Sequence, residues 1–314
     1  MEESQENTID KTEVPKGPEE ETIKKEEKKV IKHIVLTGGG TVGYTEYGIL
    51  KQSNKDHFWE YENLETIYST SIGAIIGTII ALQIDWDIMD EYIINRPWQN
   101  VFKINIYTAI NSLKTRGMLN PKAIEETLGP LLKSKDVDMD ITMKEFYDIF
   151  KIELHFFCTE LNDLCVVDMS YKTHPDWKLL DAVYSSCCLP FLFQPFFKDD
   201  KIYFDGGIMS NYPIQPCCEN VNDPDEIFGI RKRIPQAQPI TEESTLSDYI
   251  LRIIRNMISR VSKEEKPLIK NEVIVESHYT NIYDIYLATS NVEERKKLIE
   301  DGILIWKNRT SANS

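Results

Sequence analysis

Apolar and polar positions follow two rhythms along this chain. Short apolar runs bounded by turn residues read as strands, and longer runs with a helical period read as helices. Val30 to Leu36 is a strand apolar enough to be covered on both faces. A glycine-rich turn follows, and then a helical stretch from Tyr44 to Gln52. Leu64, Ile67 and Tyr68 mark a second short strand, and Ala74 to Leu82 a buried helix rich in small residues. Asp85 to Asn95 continues as helix and stops ahead of Pro97. Residues 97–117 are mixed and read as a loop or cap carrying Trp98, Phe102 and Tyr107. Asn120-Pro121 opens a helix through Ala123 to Leu132, with Asn as N-cap and Pro at the first helical position. Thr142 caps another, Met143 to Phe150.

Further on, Ile152 to Cys158 and Leu164 to Asp168 read as a strand pair, and Leu179 to Ser186 as a short helix. Lys201 to Asp205 and Ile227 to Ile230 read as strands, with residues 231–241 as linker. Leu246 to Val261 is amphipathic, and packing against the domain is its expected role, with a membrane surface as the alternative. Glu272 to Ser277 and Ile282 to Leu287 read as strands, and a last helix, capped by Ser290 or Asn291, ends near Trp306.

Composition narrows the function classes. Residues 1–29 are rich in Glu and Lys and nearly free of large apolar side chains, so a disordered charged tail is expected, with the folded domain over 30–310. The formal net charge of −15 argues against nucleic acid, and against simple electrostatic adsorption to anionic lipid. Ile72 to Ile84 is too short for a membrane span and contains Gly73, Gly77 and Gln83. The start, Met-Glu-Glu-Ser, is neither a secretory signal nor a myristoylation site. Six cysteines include two adjacent pairs and no C-x-x-C, which predicts a reduced, intracellular protein, cytoplasmic or peripheral to a membrane. Asp136 to Asp140 begins like a calcium loop, but Ile141 stands where glycine is needed and Tyr147 where glutamate is needed. No metal and no cofactor is expected.

Three stretches carry candidate chemistry. Ser69-Thr70-Ser71-Ile72-Gly73 is a strand-to-helix turn of small residues, which presents a serine either as a nucleophile or as an ordinary helix cap. Gly38, Gly40 and Gly43 fit G-x-G-x-x-G after the first strand. Such a loop serves a dinucleotide or an oxyanion, or simply turns tightly; the carboxylate a dinucleotide site wants after the next strand is replaced by Ser69-Thr70-Ser71. Asp205-Gly206-Gly207 ends a strand, either as a catalytic acid on a tight loop or as a hairpin turn.

In this order the three stretches resemble the patatin-like phospholipases, whose pattern is G-G-G-x-(R/K)-G, then G-x-S-x-G, then D-G-(G/A). Asp140 to Tyr147, Thr173 to Asp176, Ser185 to Phe191 and Asp205 to Pro213 also look like family landmarks. The resemblance covers roughly residues 31–215. It implies an α/β protein with a three-layer α/β/α patatin-like fold and a mostly parallel central sheet. It also implies a lipid acyl hydrolase of phospholipase A type, acting on lipid at a membrane or micelle surface. The implied site is a Ser71–Asp205 dyad, an oxyanion hole from Gly38, Gly39, Gly40 and Gly43, a nucleophile elbow with Ser69 and Gly73, and an acid loop with Gly206 and Gly207. The chain departs from the pattern twice. Ser69 stands at the first glycine of the elbow, and Val42 at the basic residue of the loop. Both point to an alternative, a catalytically weak or inactive lipid-binding or scaffold protein of the same fold. Ser71, Asp205 and His278 also occur in α/β-hydrolase order. His278 is nevertheless expected to be dispensable, because one strand and one helix precede the strand leading to Ser71, where an α/β-hydrolase has several.

Overall fold

The structure is a computed structural model that describes residues 29–234, 239–246, 249–250, 252–253, 256, 267–277 and 282–312. The expected tail, most of the amphipathic stretch 246–261, and His278 lie outside the described residues. The strands are β1 (His33–Leu36), β2 (Thr66–Thr70), β3 (Gly117–Leu119), β4 (Glu153–Glu160), β5 (Cys165–Met169), β6 (Phe191–Phe193), β7 (Phe196–Lys198), β8 (Lys201–Asp205), β9 (Ile227–Arg233) and β10 (Glu272–Glu276). The helices are α1 (Val42–Lys55), α2 (Ile72–Ala81), α3 (Trp86–Asn95), α4 (Ile106–Thr115), α5 (Lys122–Ser134), α6 (Met143–Phe150), α7 (Leu179–Cys187), α8 (Ile214–Asn220), α9 (Ile282–Ser290) and α10 (Val292–Ala312).

The main sheet runs β10-β9-β1-β2-β4-β8-β7, with β5 added to β4. From β10 to β4 every pairing is parallel; β5 and β8 run antiparallel to β4, and β7 to β8. The expected mostly parallel sheet is therefore present, with an antiparallel end. Successive side chains of a strand point to opposite faces, and this splits the core in two. Ile34, Leu36, Ile67, Phe156, Phe228 and Ile230 face a thick layer of helices that includes α1, α2, α5, α7 and α10. Val35, Tyr68, Phe157 and Ile227 face a thin layer built on α8, with Tyr212 and Ile214. This is the three-layer α/β/α arrangement, with unequal helical layers.

Helix α2 sits centrally because it is apolar all round: Ile75, Ile76, Ile79 and Ile80 are all buried. Burying each such side chain stabilises the fold by roughly 1.5–3 kcal/mol. The α10 helix closes the thick layer by packing Trp306 edge-on against both Phe58 and Phe228, which also touch each other, with its indole N–H bonded to Asp56 Oδ2 at 2.7 Å. The expected start of α6 is present in full: Thr142 and Glu145 form a reciprocal capping box.

Two segments differ from expectation. Residues 282–287 form a helix, not a strand, because Ile285 packs on the thick layer and Ala288 and Thr289, one turn on, are buried behind it. Within 97–117, expected as loop or cap, Ile106–Thr115 is a helix with an Asn105–Thr108 capping box.

Candidate active site

Two strands deliver their last residues to one point. Thr70 of β2 is paired with Phe157 of β4, and Asp205 of β8 with the next residue, Cys158. Both chains must then turn away sharply. Ser71 does so at φ 56°, ψ −122°, a backbone state that costs an L-residue of order 1–3 kcal/mol. Gly206 does so by close approach: a Cβ there would lie 2.1 Å from the Phe157 carbonyl oxygen. Ser71 Oγ consequently donates to Asp205 Oδ2 at 2.5 Å, while Gly207 N–H donates to Asp205 Oδ1 at 2.7 Å. Ser71 makes no side-chain capping bond to α2, so it is not acting as a helix cap. Asp205 leads into a single 3-10 turn, Gly206–Ile208, and not into a hairpin.

Residues that sequence reasoning did not single out hold this pair in place. Ser186, at the end of α7, accepts from the Ser71 N–H at 2.9 Å and donates to the Phe157 carbonyl at 2.6 Å. Asn211, six residues beyond Asp205, locks the acid loop to the glycine loop. Its carbonyl accepts from Gly38 N–H at 2.9 Å, and its side chain donates to Thr37 Oγ1 and the Gly38 carbonyl. Both residues lie in stretches that look like family landmarks, which was the one available signal.

The predicted glycines divide by what surrounds them. The N–H of Gly38 is committed to Asn211, and that of Gly43 to the Gly40 carbonyl in the first turn of α1. Gly40 lines the same cavity as Ser71 and Asp205 and turns the loop at φ 62°. Gly39 lies under the side chain of Lys232, from β9. Gly73 starts α2 against the end of β1; a Cβ on it would meet the Thr37 carbonyl at 2.8 Å.

Both departures from the family pattern are accommodated. Ser69 is fully buried, donates to the His155 carbonyl at 3.3 Å, and rests on Gly77, where the missing side chain leaves it room. Val42 is buried in the core, and positive charge reaches the loop from Lys232 instead. The same lysine acts on Glu46, a buried carboxylate that accepts from the Thr37 N–H at 2.9 Å. Burial pushes the Glu46 carboxyl well above the usual range, against the opposing pull of Thr37 N–H and the Lys232 charge.

Beside the pair opens a cavity of about 140 Å³. Ser71, Asp205, Gly40 and Thr41 are at its polar end; its walls are Ile75, Ile76 and Ile79 of α2, with Ile93, Trp98, Phe102, Phe193 and Ile285. Burial pushes the thiol of Cys187, another lining residue, well above its ordinary pKa, and that thiol donates to the Ser71 carbonyl. Each of the four described histidines is bonded elsewhere, to Thr66, Glu60, Asp168 or Thr173. Among the described residues, no group of three or more His, Cys, Asp or Glu side chains is arranged as a metal site, and no helix is long and apolar enough to cross a membrane.

Residues 34–217 match the sequence model of the patatin-like phospholipases. That is more than half of the chain, and the protein belongs to this family. It is 28% identical over 199 residues to probable lipid hydrolase 463L of Invertebrate iridescent virus 6, covering 59% of this chain and 63% of that protein. It is 26% identical over 196 residues to uncharacterized protein R571 of Acanthamoeba polyphaga mimivirus, covering 62% of this chain and 64% of that one. The matches thus span just under two thirds of these relatives. Among solved structures it is similar to VipD from Legionella pneumophila, with a TM-score of 0.47 and 15% identity over 87% of this chain and 67% of that one. It is also similar to the type III effector ExoU of Pseudomonas aeruginosa, with a TM-score of 0.40 and 9% identity over 88% and 52%.

Proposed function

We propose that this protein is a lipid acyl hydrolase of phospholipase A type, working through a Ser71–Asp205 dyad. The observation that carries the reading is the 2.5 Å hydrogen bond from Ser71 Oγ to Asp205 Oδ2, made by a serine held at positive φ at the polar end of an apolar cavity. Asp205 takes the hydroxyl proton as Oγ attacks the carbonyl carbon of a fatty-acyl ester. Backbone N–H groups at Gly39 and Gly40 stabilise the resulting oxyanion, with Lys232 adding positive charge behind the loop. Collapse of the intermediate breaks the ester C–O bond; the leaving alcohol takes the proton from Asp205, and the acyl chain stays on Ser71. Water, giving its proton to Asp205, then attacks the acyl carbon; the bond to Ser71 Oγ breaks, Oγ takes the proton back from Asp205, and the fatty acid leaves. The acyl chain occupies the isoleucine-lined cavity. No metal or redox step enters this sequence.

A fluorophosphonate probe tests the reading, with hydrolysis of a phospholipid in mixed micelles alongside it. An adduct on Ser71 is expected, and loss of hydrolysis by about 10³–10⁴-fold in Ser71→Ala and Asp205→Asn. His278→Ala should keep its turnover. Intact hydrolysis in either dyad variant would defeat the mechanism, and collapse in His278→Ala would replace the dyad with a triad. Folded protein that takes no adduct would favour the inactive lipid-binding alternative, which the departures at Ser69 and Val42 motivate.

A further inference from the structure

Residues 96–124 differ in charge from the rest of the chain. They include Arg96, Lys103, Lys114, Arg116 and Lys122 and not one Asp or Glu, in a protein of net charge −15. At their centre lies α4, none of whose residues is buried. Ile106, Ile110 and Leu113, spaced i, i+4, i+7, share one face, and their side chains are 67%, 62% and 89% exposed. A ten-residue helix without tertiary packing is marginal in water. Both of its ends are tied to the cavity wall. Phe102, which lines the cavity, precedes it, and β3 directly follows it and pairs with β6, whose Phe193 lines the same cavity.

We propose that α4 and its flanking cations dock the mouth of this cavity onto an anionic phospholipid bilayer, with Ile106, Ile110 and Leu113 seated among the acyl chains. The inference rests on the hydrolase reading for what enters the cavity, and on α4 alone for how the protein meets it. The total charge opposes adsorption of the molecule as a whole. A local cluster of cations turns that opposition into orientation, because the acidic remainder is held away from the lipid phosphates. Because both ends of α4 continue into the cavity wall, seating it in a bilayer brings that wall to the acyl chains, which a protein partner on the same face would not supply.

The test uses the full chain with vesicles of phosphatidylcholine, with and without about 30% phosphatidylserine, read by sedimentation. Wild type should bind the mixed vesicles more tightly than pure phosphatidylcholine. Ile110→Asp with Leu113→Asp should weaken binding at least about tenfold, and Lys103→Glu with Lys114→Glu should abolish the preference for phosphatidylserine. Both double variants should keep wild-type turnover of a soluble short-chain ester and wild-type fluorophosphonate labelling, which shows that the fold and site are intact. Vesicle binding unchanged in Ile110→Asp/Leu113→Asp overturns the proposal. So does a wild-type dimer in solution that this variant dissociates, which would assign the face to a second copy. A chain that binds vesicles through α4 but takes no fluorophosphonate leaves this proposal standing and removes the hydrolase reading.

Discussion

The Lys232 side chain covers Gly39: a Cβ built on this glycine would stand 2.8 Å from Lys232 Cδ and 3.2 Å from its Nζ. Strand β9 lies beside β1, so a residue nearly two hundred positions downstream brings its charge to the loop where Val42 has replaced the family's basic residue. Lys232→Met keeps the aliphatic cover and removes the charge. Its turnover should fall roughly 5–30-fold, with Lys232→Arg retaining most of the activity. Equal turnover in Lys232→Met and wild type, measured on the same micellar ester, would show that the charge has no part in the step.

The strain at Ser71 should be visible as stability. Glycine adopts positive φ without the penalty a Cβ brings, whereas alanine keeps it. Both substitutions abolish the bond to Asp205 and should be inactive. Ser71→Gly should nevertheless unfold in urea at about 1 kcal/mol higher free energy than Ser71→Ala. If Ser71→Gly is the less stable of the two, the elbow is not strained.

The acyl cavity sets a length limit that can be moved. Ile79 lines it on α2, away from the dyad, which is one strand-to-helix turn earlier. Ile79→Phe should spare short-chain esters and lower kcat/KM for long-chain ones by about tenfold, because added volume in a packed core leaves less room for methylenes. An unshifted chain-length profile would place the acyl chain elsewhere.

The two ends of the site were unequally legible in the sequence. Ser71 and Asp205 sit on turns whose small residues and glycines announce a sharp exit from a strand, but each motif alone read equally as a helix cap or a hairpin turn, and only their order along the chain, through its resemblance to the family, pointed to a pair. Ser186, Asn211 and Lys232 were not legible as contributors, because sheet order and loop packing, not sequence distance, bring them to the dyad. Ile282 to Leu287 misled through its composition: isoleucine and tyrosine favour strands, and over so short a run the helical period is hard to see without Ala288 and Thr289. The α4 helix was hidden for the opposite reason. Its apolar residues face outward, so the usual reading of an apolar stripe as core gave no place to put it.

A last prediction concerns stability on the other face of the sheet. His155 of β4 is buried there, stacked on Tyr68 with ring centroids 4.1 Å apart. Its Nδ1 lies 2.8 Å from Asp168 Oδ2 and its Nε2 3.2 Å from Glu153 Oε1, while Lys172 Nζ sits 2.7 Å from the other Glu153 oxygen. Burial alone would favour the neutral ring, but the hydrogen bond to Asp168 and the charges of Asp168 and Glu153 outweigh it and raise the His155 pKa above its ordinary value. A histidine bound more tightly to its proton when folded contributes stability that is complete below the unfolded pKa, about 6.5, and fades as pH rises through the folded value. His155→Gln removes the charge and keeps a polar side chain. It should cost roughly 1–3 kcal/mol near pH 6, and progressively less as pH rises through the raised folded pKa and the wild-type ring gives up its proton. Well below pH 4.5 the difference should shrink again. Burial raises the Glu153 carboxyl, but its bonds and charge pairing with His155 and Lys172 outweigh this and hold it below its usual value, and that contribution disappears once the carboxylate is protonated. Urea unfolding of both proteins across this range measures the difference directly. A difference that stays the same as pH rises from 6, with the His155 ring seen as neutral by NMR at pH 6, would mean that its proton contributes nothing to the folded state.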